Sequence, residues 1–156
     1  DTRKTLPGLR YPEKYAVRVG GGHNHRINLS QMLMLKDNHV DRAGGIGRAV
    51  GLLRNAYSPC PPVVVECRNL DEVDEAVSVE VDRILLDNMG PDTLSAALRR
   101  IPEGIETEIS GGVSLESVEE LARLGADYIS VGTVTHGARS KDLSMRIELP
   151  DSGNGA

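Results

Sequence analysis

At 156 residues the chain is long enough for one domain with a core, and short for a closed eight-stranded α/β barrel. With no Phe, no Trp and only 4 Tyr, the core must be Leu, Ile, Val, Met and Ala, and stacking on nucleic-acid bases is poorly supported. A net charge of −5 argues against a duplex-binding surface, and no apolar run reads as a membrane span or a signal peptide.

Charge is unevenly placed. Residues 1–36 hold 7 Lys and Arg against 2 Asp and Glu, a net of +5; the remaining 120 hold 11 against 21, a net of −10. The positive block comprises Arg3, Lys4, Arg10, Lys14, Arg18, Arg26 and Lys36, with His23, His25 and His39 among or beside them. It carries Gly20-Gly21-Gly22 directly before His23-Asn24-His25-Arg26. A concentrated cationic patch on an acidic protein is a candidate receptor for a small, multiply charged anion. The chain starts at Asp1 without Met, inside what reads as a functional motif, as a fragment would.

In chain order, Met32 to Leu35 reads as a strand, followed by a helix from about Gly45 to Ala56. Pro62 to Cys67 is a Val-rich strand. Asn69 then caps a helix whose third position is Glu72, the reciprocal capping pattern. Arg83 to Leu86 is a third strand, and Pro91 suits the first turn of a helix reaching about Arg100. Glu106 to Ile109 is a fourth strand. Ser114 is expected to cap a helix with Leu115, Val118, Leu121, Ala122 and Leu124 on one face. Tyr128 to Val131 is a fifth strand, and the polar tail 151–156 is expected to be flexible.

Strands alternating with helices point to parallel βαβ units. The strands look like apolar runs covered on both faces. Polar clusters stand at their ends: Lys36-Asp37-Asn38, Glu66, Asp87-Asn88, Ser110-Gly111-Gly112 and Gly132. Glu66 and Asp87 are 21 residues apart, about one strand–helix repeat, so all the clusters are expected at one rim. That rim carries the chemistry in α/β barrels, and a doubly wound open sheet would use the same strand ends.

Ser110-Gly111-Gly112 lets backbone N–H groups approach a phosphate, with the N-terminus of the following helix expected to add partial positive charge, or is an ordinary tight turn; Gly132 at the next strand end adds a second glycine loop. Glu66 and Asp87 can orient sugar hydroxyls, hold Mg²⁺ or stabilise a cationic transition state, or else pair structurally with Lys36 or an arginine. Arg3, His25, Arg26 and Lys36 would converge on an anion bearing two or more carboxylates or phosphates. Cationic neighbours of His23-Asn24-His25 argue against a metal there. His39 reads as structural, and His136 can touch a phosphate or cap a loop. Cys60 and Cys67 fit no zinc pattern; they can form a disulfide or remain the reduced thiols of a cytosolic protein.

The ordered set Asp1-Thr2-Arg3-Lys4-Thr5, Pro7-Gly8-Leu9-Arg10, Lys14 to Arg18, Gly20 to Gly22, Asn24-His25-Arg26, Lys36-Asp37-Asn38-His39, Leu86 to Met89, Ser110 to Gly112 and Thr135-His136 closely resembles the nicotinate-nucleotide pyrophosphorylase (carboxylating), or quinolinate phosphoribosyltransferase, family. The likeness runs from Asp1 to about Ile147. It implies an incomplete parallel α/β (TIM-like) barrel, the type II phosphoribosyltransferase C-terminal domain, over residues 1–150. It also implies transfer of phosphoribose from phosphoribosyl pyrophosphate to quinolinate, with Mg²⁺, giving nicotinate mononucleotide, pyrophosphate and CO₂ in cytoplasmic NAD synthesis.

The resemblance assigns Thr2, Arg3, His25, Arg26 and Lys36 to the quinolinate carboxylates, and Lys4 and Lys36 to the pyrophosphate. Glu66 and Asp87 fall to ribose hydroxyls and the metal. Ser110, Gly111, Gly112 and Gly132 fall to the 5′-phosphate, with His136 nearby. Lys4, Lys36, Glu66 and Asp87 carry the implied catalysis.

Family members also have an N-terminal α/β sandwich domain and form homodimers or higher homo-oligomers, in which that domain caps the partner's barrel; this chain lacks the segment, so the fragment alone is expected to be weak or inactive. Val64 stands where many relatives have an acid, and Ile109 replaces a usual small residue. A related phosphoribosyltransferase-like protein of molybdenum transport, and a non-catalytic fragment that binds phosphorylated ribose, are the alternatives.

Overall fold

The computed structural model describes residues 1–148, so the expected tail at 151–156 lies outside the described residues. Five parallel strands form one sheet: β1 (Leu33–Leu35), β2 (Val63–Cys67), β3 (Arg83–Asp87), β4 (Glu106–Ser110) and β5 (Tyr128–Ile129). Their order in space is their order in the chain, with no reversal. A doubly wound sheet would reverse at a switch point, so the strands form the arc of an incomplete α/β barrel.

The helices are α1 (Arg10–Val19), α2 (Asp37–Ala43), α3 (Ile46–Ala56), α4 (Leu70–Ser78), α5 (Pro91–Leu98), α6 (Val118–Ala122) and α7 (Thr133–His136). Pro91 opens α5, where its missing N–H costs nothing. Asn69 accepts the Glu72 N–H at 2.9 Å, as a cap should. The Glu72 carboxylate reaches one residue further back, to the N–H of Arg68, so the reciprocal half of the cap is displaced. His39 is structural: its Nδ1 accepts the Lys36 N–H at 3.0 Å, fixing the start of α2, which Gly44 ends at φ +81°.

Ser114 does not cap the sixth helix. It opens a turn with Ser117, α6 starts only at Val118, and Leu115 is 87% exposed. Leu121 and Leu124 do pack against the core. Cys60 and Cys67 are both free thiols.

The strands are not apolar on both faces. Val63, Val65, Cys67, Ile84, Leu86 and Ile109 point to the helices and meet Ile46, Val50, Val73, Ala76, Leu94 and Ala97 in one core. Each fully buried aliphatic side chain there contributes about 1.5–3 kcal/mol. Side chains alternate along a strand. The intervening residues, Met34, Glu66, Leu85, Asp87, Glu108 and Ser110, therefore face the other way, into a cavity.

Candidate active site

That cavity is about 750 Å³ and opens at the carboxyl ends of the strands. The first residues of the chain form one wall, the segment before β1 a second, and the strand ends the floor and far side. Every site residue expected from the sequence lines it: Thr2, Arg3, Lys4, His25, Arg26, Lys36, Glu66, Asp87, Ser110, Gly111, Gly112, Gly132 and His136. Asp37 and Asn38, from the first rim cluster, are not part of the lining.

The cationic wall is held by buried polar contacts. Lys14, projecting inward from α1, donates to Asp1 Oδ1 at 2.7 Å and to the His25 carbonyl at 2.9 Å. The Asp1 carboxylate also accepts the His25 N–H at 2.7 Å and Asn24 Nδ2 at 2.8 Å. This clamp joins the two segments that carry Arg3 and Arg26. Arg10 ties down the Arg3 carbonyl at 3.1 Å, and Thr135 ties the Lys4 carbonyl at 2.7 Å to α7.

Arg26 donates to the Met32 carbonyl and to Met34 Sδ, both at 3.1 Å. The Nε atoms of Arg3 and Arg26 are buried without an acceptor among the described residues. Burial, and then Arg3, push the Arg26 guanidinium below its ordinary pKa, against the pull of Glu108. Buried donors left unpaired are costly, so the wall is suited to an anionic ligand.

On the opposite side Glu66 forms an ion pair with Lys36, so one of the structural pairings weighed from the sequence is realised. Asp87 accepts Asn88 Nδ2 at 2.7 Å. Asn88, at φ +54°, donates its N–H to the Ser110 carbonyl, and this brings the β3 and β4 loops together. Gly111 is required at that contact. It sits at φ +98°, and a Cβ there would lie 2.3 Å from Asn88 Oδ1 and 2.7 Å from its backbone nitrogen. The glycine loop is not backed by a helix N-terminus, because α6 begins only at Val118. Whatever it offers an anion comes from its own N–H groups. His136 closes this side, its Nε2 3.0 Å from where a Gly132 Cβ would be.

Glu108 and Ser130 were missed from the sequence; Asp1, Lys14 and Asn88 stood in the motifs read there but were given no role in the site. Glu108 is 1% exposed yet faces the cavity; Oε1 accepts the Ser130 hydroxyl, and Oε2 accepts from Arg83 at 3.1 Å and lies 3.3 Å from His25 Nε2. Burial alone would raise its carboxyl, but His25, Ser130 and Arg83 together draw it down to about 2. The signal was available: an acid in the middle of a strand, on the face opposite Ile109, needs a partner.

Comparison with known proteins accords with this geometry. Residues 1–146 match the family model "Quinolinate phosphoribosyl transferase, C-terminal domain". The chain is 44% identical over 149 residues to a probable nicotinate-nucleotide pyrophosphorylase [carboxylating] of Bacillus subtilis, covering 96% of this chain and 52% of that protein. It is 43% identical over 150 residues to the nicotinate-nucleotide pyrophosphorylase [carboxylating] of Mycobacterium leprae, covering 94% and 52%. The crystal structure of NadC from Streptococcus pyogenes superposes with a TM-score of 0.88 at 45% identity, over 94% of this chain and 51% of that one. The chain spans about half the length of the curated relatives it matches. On sequence and architecture together, the chain belongs to the quinolinate phosphoribosyltransferase C-terminal-domain family.

Proposed function

We propose that the cavity binds quinolinate beside phosphoribosyl pyrophosphate and that the protein carrying it transfers phosphoribose to the quinolinate nitrogen with loss of CO₂. The observation that carries this reading is the opposition, in one cavity, of an under-satisfied cationic wall to two rim carboxylates and two glycine loops. A pyridine dicarboxylate suits Arg3 and Arg26, whose forks match carboxylates. Thr2, His25 and Lys36 complete that side. The pyrophosphate falls to Lys4 and Lys36, the ribose hydroxyls to Glu66 and Asp87. The 5′-phosphate falls to Ser110, Gly111, Gly112 and Gly132, with His136 beside it.

In this mechanism the pyridine nitrogen attacks the anomeric carbon while the bond to pyrophosphate breaks. In this reading Glu66 and Asp87 stabilise the ribosyl cation, and Lys4 and Lys36 hold the departing charge. The ring nitrogen is then cationic. The bond from the adjacent ring carbon to its carboxylate breaks, its electron pair stays on that carbon, and a proton replaces CO₂.

Glu66 and Asp87 on neighbouring strands fit Mg²⁺, which commonly takes one or two carboxylates plus substrate phosphates. No group of three or more His, Cys, Asp or Glu among the described residues could cage it alone. When bound, Mg²⁺ would neutralise phosphate charge. Glu66 must loosen from Lys36 to take part.

We read residues 1–150 as the barrel domain of a longer protein, with the remaining half supplying a cap in a homodimer or higher homo-oligomer. No helix among the described residues is long and apolar enough to cross a membrane. The two free thiols suit a reducing cytoplasm. Isothermal titration of this chain with quinolinate, and separately with phosphoribosyl pyrophosphate and Mg²⁺, tests the site. Binding of both supports the reading; binding of neither by a demonstrably folded chain overturns it.

A further inference from the structure

Glu108 is an anion buried in a cavity whose proposed ligands are also anions. Its charge is consumed locally: Ser130 donates to one oxygen, while Arg83 and His25 face the other. On the far side of the imidazole, His25 Nδ1 accepts the backbone N–H of Arg26 at 2.7 Å. A ring nitrogen that accepts carries no proton, so the neutral ring holds its proton on Nε2, toward Glu108. The 3.3 Å contact is off the axis of a linear hydrogen bond and acts chiefly as electrostatic attraction. With the proton on Nδ1 instead, donor would face donor and the His25–Arg26 peptide would have to turn. That turn would swing Arg26, whose guanidinium, among the described residues, is anchored at the Met32 carbonyl and Met34 Sδ.

We propose that Glu108 is a positioning residue: its carboxylate keeps the His25 proton on Nε2, the His25 ring holds the Arg26 backbone, and Arg26 is thereby presented to the dicarboxylate. The inference rests on the reading that the cavity takes quinolinate. It adds a residue that acts through two others and need not touch the ligand.

Two variants test it. Glu108→Met removes charge and acceptor at similar volume, and Glu108→Gln keeps an acceptor without charge. Neither leaves Arg83 alone, because Arg83 also donates to Glu106 at 2.6 and 2.9 Å. Long-range ¹H–¹⁵N NMR of the His25 ring, in this chain without ligand, reads the tautomer directly. The wild type should show Nδ1 unprotonated, Glu108→Met should lose that preference, and Glu108→Gln should retain part of it.

In titrations Glu108→Met should weaken quinolinate binding by about tenfold or more, the worth of one charge-assisted hydrogen bond. Glu108→Gln should lose less, and phosphoribosyl pyrophosphate binding should be nearly unchanged in both. An unaltered tautomer in Glu108→Met, or equal loss of both ligands, overturns the proposal. If Glu108→Met does not fold, Glu108→Gln decides: a wild-type tautomer with wild-type quinolinate affinity overturns it. Should the wild type bind neither ligand, the dicarboxylate reading falls, and the tautomer comparison alone judges the Glu108–His25–Arg26 linkage.

Discussion

Replacing Lys14 with Met removes the cation that closes the clamp behind Arg3 and Arg26. Lys14 and Asp1 have side chains only 3% and 0% exposed, with Nζ 2.7 Å from Oδ1. In Lys14→Met the Asp1 carboxylate keeps the His25 N–H and Asn24 Nδ2 but loses its countercharge. Breaking one side of such a buried pair costs about 3–5 kcal/mol, whereas removing both sides costs far less. Asp1→Asn should be comparably destabilising, and the double variant should recover much of the loss. Urea unfolding of the four proteins at pH 7 supplies the cycle.

The clamp also has a pH signature. Burial, then Arg10 and Arg3, push the Lys14 ammonium down to about 8 from its ordinary 10.5. Below pH 8 both folded and unfolded chains hold this proton. Between about 8 and 10.5 the unfolded chain holds it and the folded chain has shed it, so stability rises with pH across that window. The neutral amine still donates to Asp1. Lys14→Met should abolish the rise. Additive losses in the cycle, or identical pH profiles for wild type and Lys14→Met, would refute the reasoning.

Arg3→Ala deletes a buried donor that lacks a partner among the described residues. It should weaken quinolinate binding about ten- to a hundredfold, and phosphoribosyl pyrophosphate binding less; equal losses in separate titrations would remove Arg3 from the dicarboxylate. Gly111→Ala should lose phosphoribosyl pyrophosphate binding more than tenfold and cost about 1–3 kcal/mol, because of its φ of +98° and the Asn88 contact. Gly112→Ala, at φ +60° with open space around it, should cost only about 1 kcal/mol by the same unfolding measurement. The Cys67 thiol, pushed up to about 12 by burial and then by Glu72, Glu75 and Glu66, should resist an aromatic disulfide reagent at pH 8 while the partly exposed Cys60 reacts. Mass analysis showing Cys67 labelled in the folded chain would contradict its placement.

The strands were readable because their apolar runs, Val63 to Val65 and Ile84 to Leu86, carry the helix-facing residues Val63, Val65, Ile84 and Leu86. What the same run concealed was the second face. Arg83 and Asp87 bound β3 with Leu85 between them on the same face, and Glu106 and Glu108 lie on the corresponding face of β4, Glu108 in the interior of the strand. α1 was hidden for a related reason. It turns Lys14 inward and leaves Tyr11, Tyr15 and Val19 outward, at 72%, 69% and 69% exposure, the reverse of a helix on an apolar core. Leu115 misled in the opposite direction: its spacing suits a helical face, but the turn from Ser114 to Ser117 delays the helix past it.

The candidate site divides along the same line. Groups facing the cavity stand at strand ends or in short charged motifs, and the chemistry of each is visible from its own residue type. The groups that aim them are ordinary residues made special by one distant contact: Lys14 by Asp1 at 13 positions, Arg83 by Glu108 at 25, and Thr135 by the Lys4 carbonyl at 131. Such pairs leave no local pattern, because the physical demand they answer, a buried charge or carbonyl needing a partner, arises only once the chain has folded. The sequence mark they can leave is a charged residue inside a predicted buried element. Glu108 bears that mark within the strand expected from Glu106 to Ile109, whereas Lys14, in a helix the sequence did not announce, does not; both are buried, and substitution at either should separate the aiming of the cationic wall from its charge.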